Sequence, residues 1–275
     1  MFSIALAALT AVVWGGADYS GGRATQGRSA LGVTVGSQVL GLPALLLCLP
    51  FLPGSPHPTD LAWGAGAGLA GFLGIVLLYR SLSTGAMAVA APVTAVTAAL
   101  VPMIVGLLRE QAPSPLALTG AGCALVGIGL VSLGTSAGGG RATPRVIGLA
   151  LAAGTLFGVF ASLLAQTHDD SGLWPIVAAR VASIGVGLVL VVRNGTGLLV
   201  RPLGWIAAAV VGDVLANAAY LLAIRAGLLS VVAPIAALYP ATTVLLALML
   251  DRERLRPVQF AGLGLAAAAL VLTAI

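Results

Sequence analysis

Lysine is absent from the 275 residues, so all thirteen basic side chains are arginine. That absence excludes a Walker-type phosphate loop, whose lysine reaches the β- and γ-phosphates. It equally excludes a retinal or pyridoxal Schiff base, which needs a lysine amine. Charge of either sign is scarce: 8% of the residues are Asp, Glu, Lys or Arg, against about 25% in soluble domains. Such a chain has too few charges to present a solvated surface. The two cysteines, Cys48 and Cys123, both lie in apolar stretches with no CxxC spacing, and read as small core residues without a redox role. There is no HExxH and no Ser-His-Asp arrangement, so enzymatic chemistry has no visible residues and neither metal nor cofactor is expected. His57 and the run His168-Asp169-Asp170 occupy connectors. The run reads as a solvated loop, because three adjacent residues do not close a coordination sphere.

What the chain does have is apolar sequence. Hydrophobic residues make up 59% and the mean hydropathy is +1.09. The length accommodates about ten spans of roughly 20 residues. Apolar runs fall near 2–22, 30–52, 61–82, 86–108 and 115–134, then near 146–166, 173–192, 203–225, 229–250 and 257–275. The first run lacks a basic flank and a clear cleavage site, and reads as a retained span rather than a signal peptide. The expected class is an all-α integral membrane protein with ten transmembrane helices. A net charge of +5 would hint at nucleic acid in a soluble protein. Here the arginines sit mainly at the ends of apolar runs and read as interfacial anchors. The expected partners are the lipid bilayer and a small-molecule substrate, with no nucleic acid and with a homodimer left open.

The chain also repeats. Trp63 returns as Trp205, 142 residues later, and at the same offset Gln38 answers to Arg180, Gly85 to Gly227, Pro92 to Pro234 and Gly120 to Gly262. These anchors point to a duplicated unit. We divide the chain into a first five-helix repeat (1–134), a Gly-, Ser- and Thr-rich linker (135–145) and a second repeat (146–275). An odd number of spans per unit makes the second copy enter from the opposite face, which gives two inverted repeats around a midplane site. The connectors Ser83-Thr84-Gly85 and Ala226-Gly227-Leu228 are short enough to close tight hairpins, so spans 3 and 4, and 8 and 9, are expected to be antiparallel neighbours. Gly64-x-Gly66-x-Gly68 lacks the βαβ setting of a dinucleotide fingerprint. The 37 glycines read instead as surfaces for close helix approach.

Taken together, Trp14-Gly15 late in span 1, the polar Gln38 and Arg180 midway along spans 2 and 7, Pro92 and Pro234 within spans 4 and 9, and Glu110 and Glu253 before spans 5 and 10 resemble one known pattern. The chain is similar to ten-helix EamA-type members of the drug/metabolite transporter superfamily, along its whole length as two units. Phe157-Gly158 departs from the Trp-Gly of the pattern, and Gln38 is neutral where arginine is often found. The resemblance implies secondary transport by alternating access, commonly export of amino acids or other small metabolites, through a cavity lined by spans 1–4 and 6–9. It also implies a multi-pass protein of the cell membrane with both termini cytoplasmic. The arginines disagree: ten lie in connectors after odd-numbered spans and only Arg109 and Arg225 at the opposite face, which by the positive-inside rule puts the termini outside.

Intramembrane polar residues are the local clues to a site. A charge at a helix centre costs roughly 2.5–3.5 kcal/mol on insertion scales, so it faces a cavity or a partner. Arg180 and Asp213 come to similar depth in spans 7 and 8, as a stapling pair or as a substrate-facing one. Asn217 lies one turn after Asp213 on the same face. With Trp14, Gln38 and Tyr239, these are the expected substrate-binding residues, and Asp18 and Asp213 the expected proton-coupling carboxylates. Asp18 also reads as an interfacial carboxylate paired with Arg23. Pro92 and Pro234 are the expected hinges. Thr94 and Thr97 lie near these bends, and their hydroxyls are expected to bond their own backbone. A lipid-linked carrier or flippase, and a non-transporting scaffold, are the competing functions.

Overall fold

The computed structural model describes residues 1–24, 29–82, 87–109, 113–133, 143–198, 203–250 and 256–274. The turn at Ser83-Thr84-Gly85, most of the 135–145 linker, Glu110 and Glu253 lie outside them. The described residues form α1 (Phe2–Ala24), α2 (Ala30–Cys48), α3 (Pro58–Leu82), α4 (Met87–Arg109), α5 (Pro115–Leu133), α6 (Pro144–Leu164), α7 (Trp174–Arg193), α8 (Leu203–Ala226), α9 (Leu229–Ala236), α10 (Tyr239–Leu250) and α11 (Pro257–Ala274). Nine of the described stretches are long and apolar enough to cross a membrane, one of them running through α9 and α10, and Pro257–Thr273 is a shorter apolar helix. The fold is that of an all-α membrane protein. Helices are forced here because hydrocarbon offers no partner for a free N–H or C=O. Large apolar side chains such as Leu47, Phe51, Val192 and Phe260 point outward, as a chain solvated by lipid requires.

Helix starts follow ordinary capping chemistry. The Ser29 hydroxyl accepts from the Gly32 amide at 3.3 Å, Ser114 from Ala117 at 3.1 Å and Thr143 from Val146 at 3.3 Å. Pro115 and Pro144 then occupy the first helical position, where a missing N–H costs nothing.

One expected span divides. The stretch 229–250 is not a single helix: α9 ends at Ala236 and α10 begins at Tyr239. Pro240 accounts for the break, since it has no N–H for the Ala236 carbonyl and its ring crowds that oxygen. The residue 142 positions earlier is Ala98, and α4 runs through Pro92 and Pro102 as one helix. The proline pair read as equivalent hinges therefore sits in unlike settings. Pro92 is inside a continuous helix, and Pro234 is two residues from the end of a short one.

The largest contacts run between the halves rather than between chain neighbours. Helix α1 lies along α8, α3 along α6, and α5 along α11, while α4 crosses α6 and α1 meets α9 and α10. The α3–α4 and α8–α9 neighbours read as hairpins touch only lightly. With lipid outside, no hydrophobic force drives helices together, and packing depends on close approach. Gly64 and Gly68 on α3 face the backbone of Pro175 and Ala179 on α7. These glycines, which look like part of a nucleotide fingerprint, are helix-packing residues. A Cβ on Gly15 would stand 2.5 Å from the Tyr239 carbonyl oxygen of α10.

The contact between α5 and α11 shows the 142-residue offset in space. A Cβ on Gly120 would meet Ala269, Leu272 and Thr273, and one on Gly262 would meet Gly127 and Val131. The contacts of one glycine are the repeat counterparts of the other's, and the numbers fall on α11 as they rise on α5, so the two helices run antiparallel. At the end of α4, Arg109 donates to Gln166 just beyond α6, and a Cβ on Gly227 after α8 would meet Ser3 at the start of α1. One face of the bundle thus gathers the connectors after α2, α4, α6 and α8 together with the first turn of α1.

A backbone-to-backbone approach cannot be relieved by a rotamer change. Gly68→Ala is expected to lower stability in detergent by about 1–3 kcal/mol, read as a drop in thermal unfolding midpoint. Gly122→Ala, whose Cβ would meet nothing within 4 Å, is expected to leave the midpoint unchanged.

Candidate polar cavity

Between the halves lies a cavity of about 190 Å³. Its polar wall is Gln38 from α2, Arg180 and Ser183 from α7, and Asp213 and Asn217 from α8; Trp14 comes from α1. The opposite wall is apolar, with Phe72 and Ile75 from α3 and Phe157 and Phe160 from α6. Six helices contribute, three from each half.

The local reasons for this geometry begin with glycine. Gly68 lets α3 touch the α7 backbone at Ala179, which aims the next residue, Arg180, at the space between helices. On α2, a Cβ at Gly41 would lie 3.5 Å from the guanidinium carbon of Arg180, so that glycine leaves room for the planar group. Gly71 and Gly74 on α3 do the same for the rings of Phe160 and Phe157.

Arg180 forms an ion pair with Asp213, and its side chain is 9% exposed against 37% for the carboxylate. Asn217 Nδ2 donates to the carboxylate of Asp213 at 3.0 Å and to the Asp213 carbonyl at 2.7 Å. It is thus bonded within its own helix rather than to a neighbouring one. The Ser183 hydroxyl donates to Gln38 Oε1 and lies 2.9 Å from the Arg180 carbonyl, tying α7 to α2. A cation and a carboxylate held side by side against an aromatic wall can take a ligand that bears both charges and an apolar group. They can equally exchange one carboxylate partner for another.

Of the residues singled out from sequence, Trp14, Gln38, Arg180, Asp213 and Asn217 come together on this cavity. Tyr239 does not line it; its ring packs edge-on against Trp14 at 6.3 Å, and Trp14 is also 5.4 Å from the Tyr220 ring. Asp18 lies one turn beyond Trp14 on α1, within electrostatic reach of Asp213 and of Tyr239. Pro92 and Pro234 lie on helices that contribute nothing to the cavity lining. Thr94 departs from expectation, donating to Ala150 of α6 at 3.1 Å, whereas Thr97 bonds its own helix at Val93. Sequence reading missed Ser183 and the phenylalanines. Ser183 carried a usable signal, three residues after Arg180 and so on the same face; the phenylalanines carried none.

A second polar cluster was read as a solvated loop and is instead a tied one. The connector before α3 meets the connector after α6. His57 Nε2 lies 3.1 Å from the Asp170 carboxylate, and His168 Nδ1 lies 2.9 Å from Asp60 Oδ1. Asp60 also accepts from the His168 amide at 3.2 Å. Arg225, in the last turn of α8, donates to the carbonyls of Gly172 and His168 and to the Ser171 hydroxyl. Trp174 Nε1 donates to the Gly54 carbonyl at 3.2 Å. The Ser55 amide donates to the Asp170 carbonyl at 2.9 Å, joining the two connectors directly, backbone to backbone. Hydrogen bonding to Asp60, and then its charge, pushes the His168 imidazole above its ordinary value. A hydrogen bond from His57 holds Asp170 below the usual carboxylate range.

Comparison with known proteins places this geometry. Residues 1–133 match the model of the EamA-like transporter family, the resemblance that the sequence motifs carried. No curated protein matches the chain. Among solved structures, one titled "Crystal structure of protein" has 14% sequence identity and a TM-score of 0.77, covering 98% of this chain and 95% of its own. That likeness shows the fold.

The unequal exposure of the ion pair predicts unequal consequences. Asp213→Ala leaves a buried guanidinium without a counter-charge, and is expected to cost roughly 3 kcal/mol of stability. Arg180→Ala leaves a carboxylate that water reaches, and is expected to cost less than half as much. Thermal unfolding of the two variants in detergent checks the order, and equal losses would contradict it.

Proposed function

We propose, from a chain whose first half is an EamA-like transporter unit, that the protein is a secondary transporter exporting small metabolites such as amino acids. The family points to a membrane transporter of the drug/metabolite type. The cargo, the direction and the coupling are our reading. The observation that carries it is the Arg180–Asp213 pair on the wall of a cavity built from both halves. A scaffold that moves nothing would have no use for a charged pair lining an internal space.

The two five-helix units act as inverted repeats in this reading. Support comes from the antiparallel run of α5 against α11 with repeat-related contacts, and from matched pairings such as α1 on α8 and α3 on α6. A rocking motion of one unit against the other opens the cavity to each face in turn. The cargo carboxylate replaces Asp213 on Arg180, while its apolar part lies against Phe72, Phe157 and Phe160. A cavity of about 190 Å³ selects a small cargo, since pockets for drug-sized ligands run about 300–1,000 Å³.

Displaced from Arg180, Asp213 is free to take a proton, and Asp18 lies within reach to share it. Cargo and proton then compete for one charged partner, which couples their movements. Both termini are cytoplasmic in this reading, following the family resemblance against the distribution of arginines.

Purified protein in liposomes, loaded with labelled amino acids and given a pH gradient, tests the proposal. Arg180→Ala is expected to weaken cargo binding about 10–100-fold, the loss of one charge-assisted contact of roughly 1.5–3 kcal/mol. Asp213→Asn or Asp18→Asn is expected to remove the dependence on the pH gradient. Transport that ignores the gradient, and is unchanged in both carboxylate variants, sinks the proton coupling. A reporter fused after Ile275 is expected to be active in the cytoplasm; activity only on the outer side reverses the orientation.

A further inference from the structure

The tied connectors stand apart from the cavity and cross-link the two halves at one end of the bundle. The first half supplies His57 and Asp60, the second His168, Asp170, Ser171 and Arg225. The bonds between the halves must break if that end is to open, because their partners are more than a hundred residues apart and belong to different units. Asp60 is the unusual member. It is 0% exposed, His168 holds one of its oxygens, and the other, Oδ2, is buried with no hydrogen-bond partner. Arg225 reaches the same residue, His168, through its carbonyl, but its Nε is also buried without a partner.

We propose that the His168–Asp60 and His57–Asp170 pairs, braced by Arg225, form a proton-binding latch that holds this end of the bundle closed. The latch rests on the alternating-access reading, since it needs an end that opens. Its proton site is distinct from the cavity carboxylates.

The physical basis is the cost of a buried anion. With His168 protonated, Asp60 sits beside a cation and accepts two hydrogen bonds from it, one from the ring and one from the amide. With His168 neutral, the same carboxylate stays buried with the weaker partner, and an unpaired buried charge is expensive. When the end opens, water reaches Asp60 and the penalty disappears. The groups facing this site are Asp60 on α3, His57 before it, His168, Asp169 and Asp170 after α6, and Arg225 on α8. The three aspartates favour protonation of His168 and the arginine offsets part of that.

Asp60 raises His168 above 6.5 in the closed form, and opening returns it towards the ordinary value. The added stability of the closed form is complete below about pH 6.5 and is lost as pH rises through the raised value. Acid locks this end and alkali releases it.

Spin labels read the opening without knowledge of the cargo. Both label sites are exposed and outside the bonded network: Thr59 at the start of α3 and Ala226 at the end of α8. They would be replaced by cysteine in full-length protein lacking Cys48 and Cys123, in liposomes, and the distance distribution measured by pulsed dipolar spectroscopy. The expected result is a short-distance population that falls at least about threefold between about pH 5.5 and about pH 8.5. His168→Gln keeps a hydrogen-bond donor for Asp60 but cannot titrate, and is expected to lose that response. Asp60→Asn removes the buried charge and is expected to stay closed at both pH values. A long-distance population that is the same at both pH values, or a His168→Gln protein that still responds, overturns the latch and leaves alternating access intact. A single short distance under all conditions and in all variants overturns both.

Discussion

Contact between helix backbones is the constraint on which the rest of this structure depends. In water a helix can be held by burying its apolar stripe, but a lipid tail is as apolar as leucine and supplies no such force. What remains is close approach, and glycine permits it. Gly64 and Gly68 bring α3 against Pro175 and Ala179 of α7, and Gly15 brings α1 against α10. Ala179 is the neighbour of Arg180. The position of the one described arginine within the cavity is therefore set by a missing side chain on another helix.

On that frame the polar groups fall into two sites with different chemistry. The cavity holds charges that are partnered yet reachable, with Asp213 more exposed than Arg180, so the pair can be opened by a competing ion. The connector cluster is a lock between two units, with an inaccessible carboxylate at its centre. Burial separates the roles: a reachable partner can be exchanged, whereas an unreachable one can only be satisfied or left costly.

The two halves share a frame and divide the work. Gly120 and Gly262 exchange contacts across the α5–α11 interface as repeat counterparts should. The polar residues have no such symmetry. Gly71 stands where the second unit has Asp213, and it makes room for Phe160. Gln38 stands where the second unit has Arg180, and it accepts from Ser183 rather than pairing with a carboxylate. Ala98 stands where the second unit has Pro240, so only the second copy of that span is broken. An aromatic wall built on α3 and α6 faces an ionic wall on α7 and α8 because these substitutions fell on opposite sides of one cavity.

The amino-acid sequence alone determined the helical membrane class, nearly every span boundary and the offset between the units. Each of these depends on local properties: hydropathy summed over a span, capping side chains beside the residues they cap, and hydrogen bonds closed within one helix. It also brought Arg180 and Asp213 to a common depth, since rise per residue is fixed. Only the tertiary structure decided which faces meet. Tyr239 went behind Trp14 instead of into the cavity, the phenylalanines became a wall, and Thr94 bonded α6 instead of its own helix. The connector residues read as solvated because nothing near them in sequence can bind them. Their partners lie 108 and 113 positions away, and a contact over that separation exists only once the glycine-lined helices have brought the two units together.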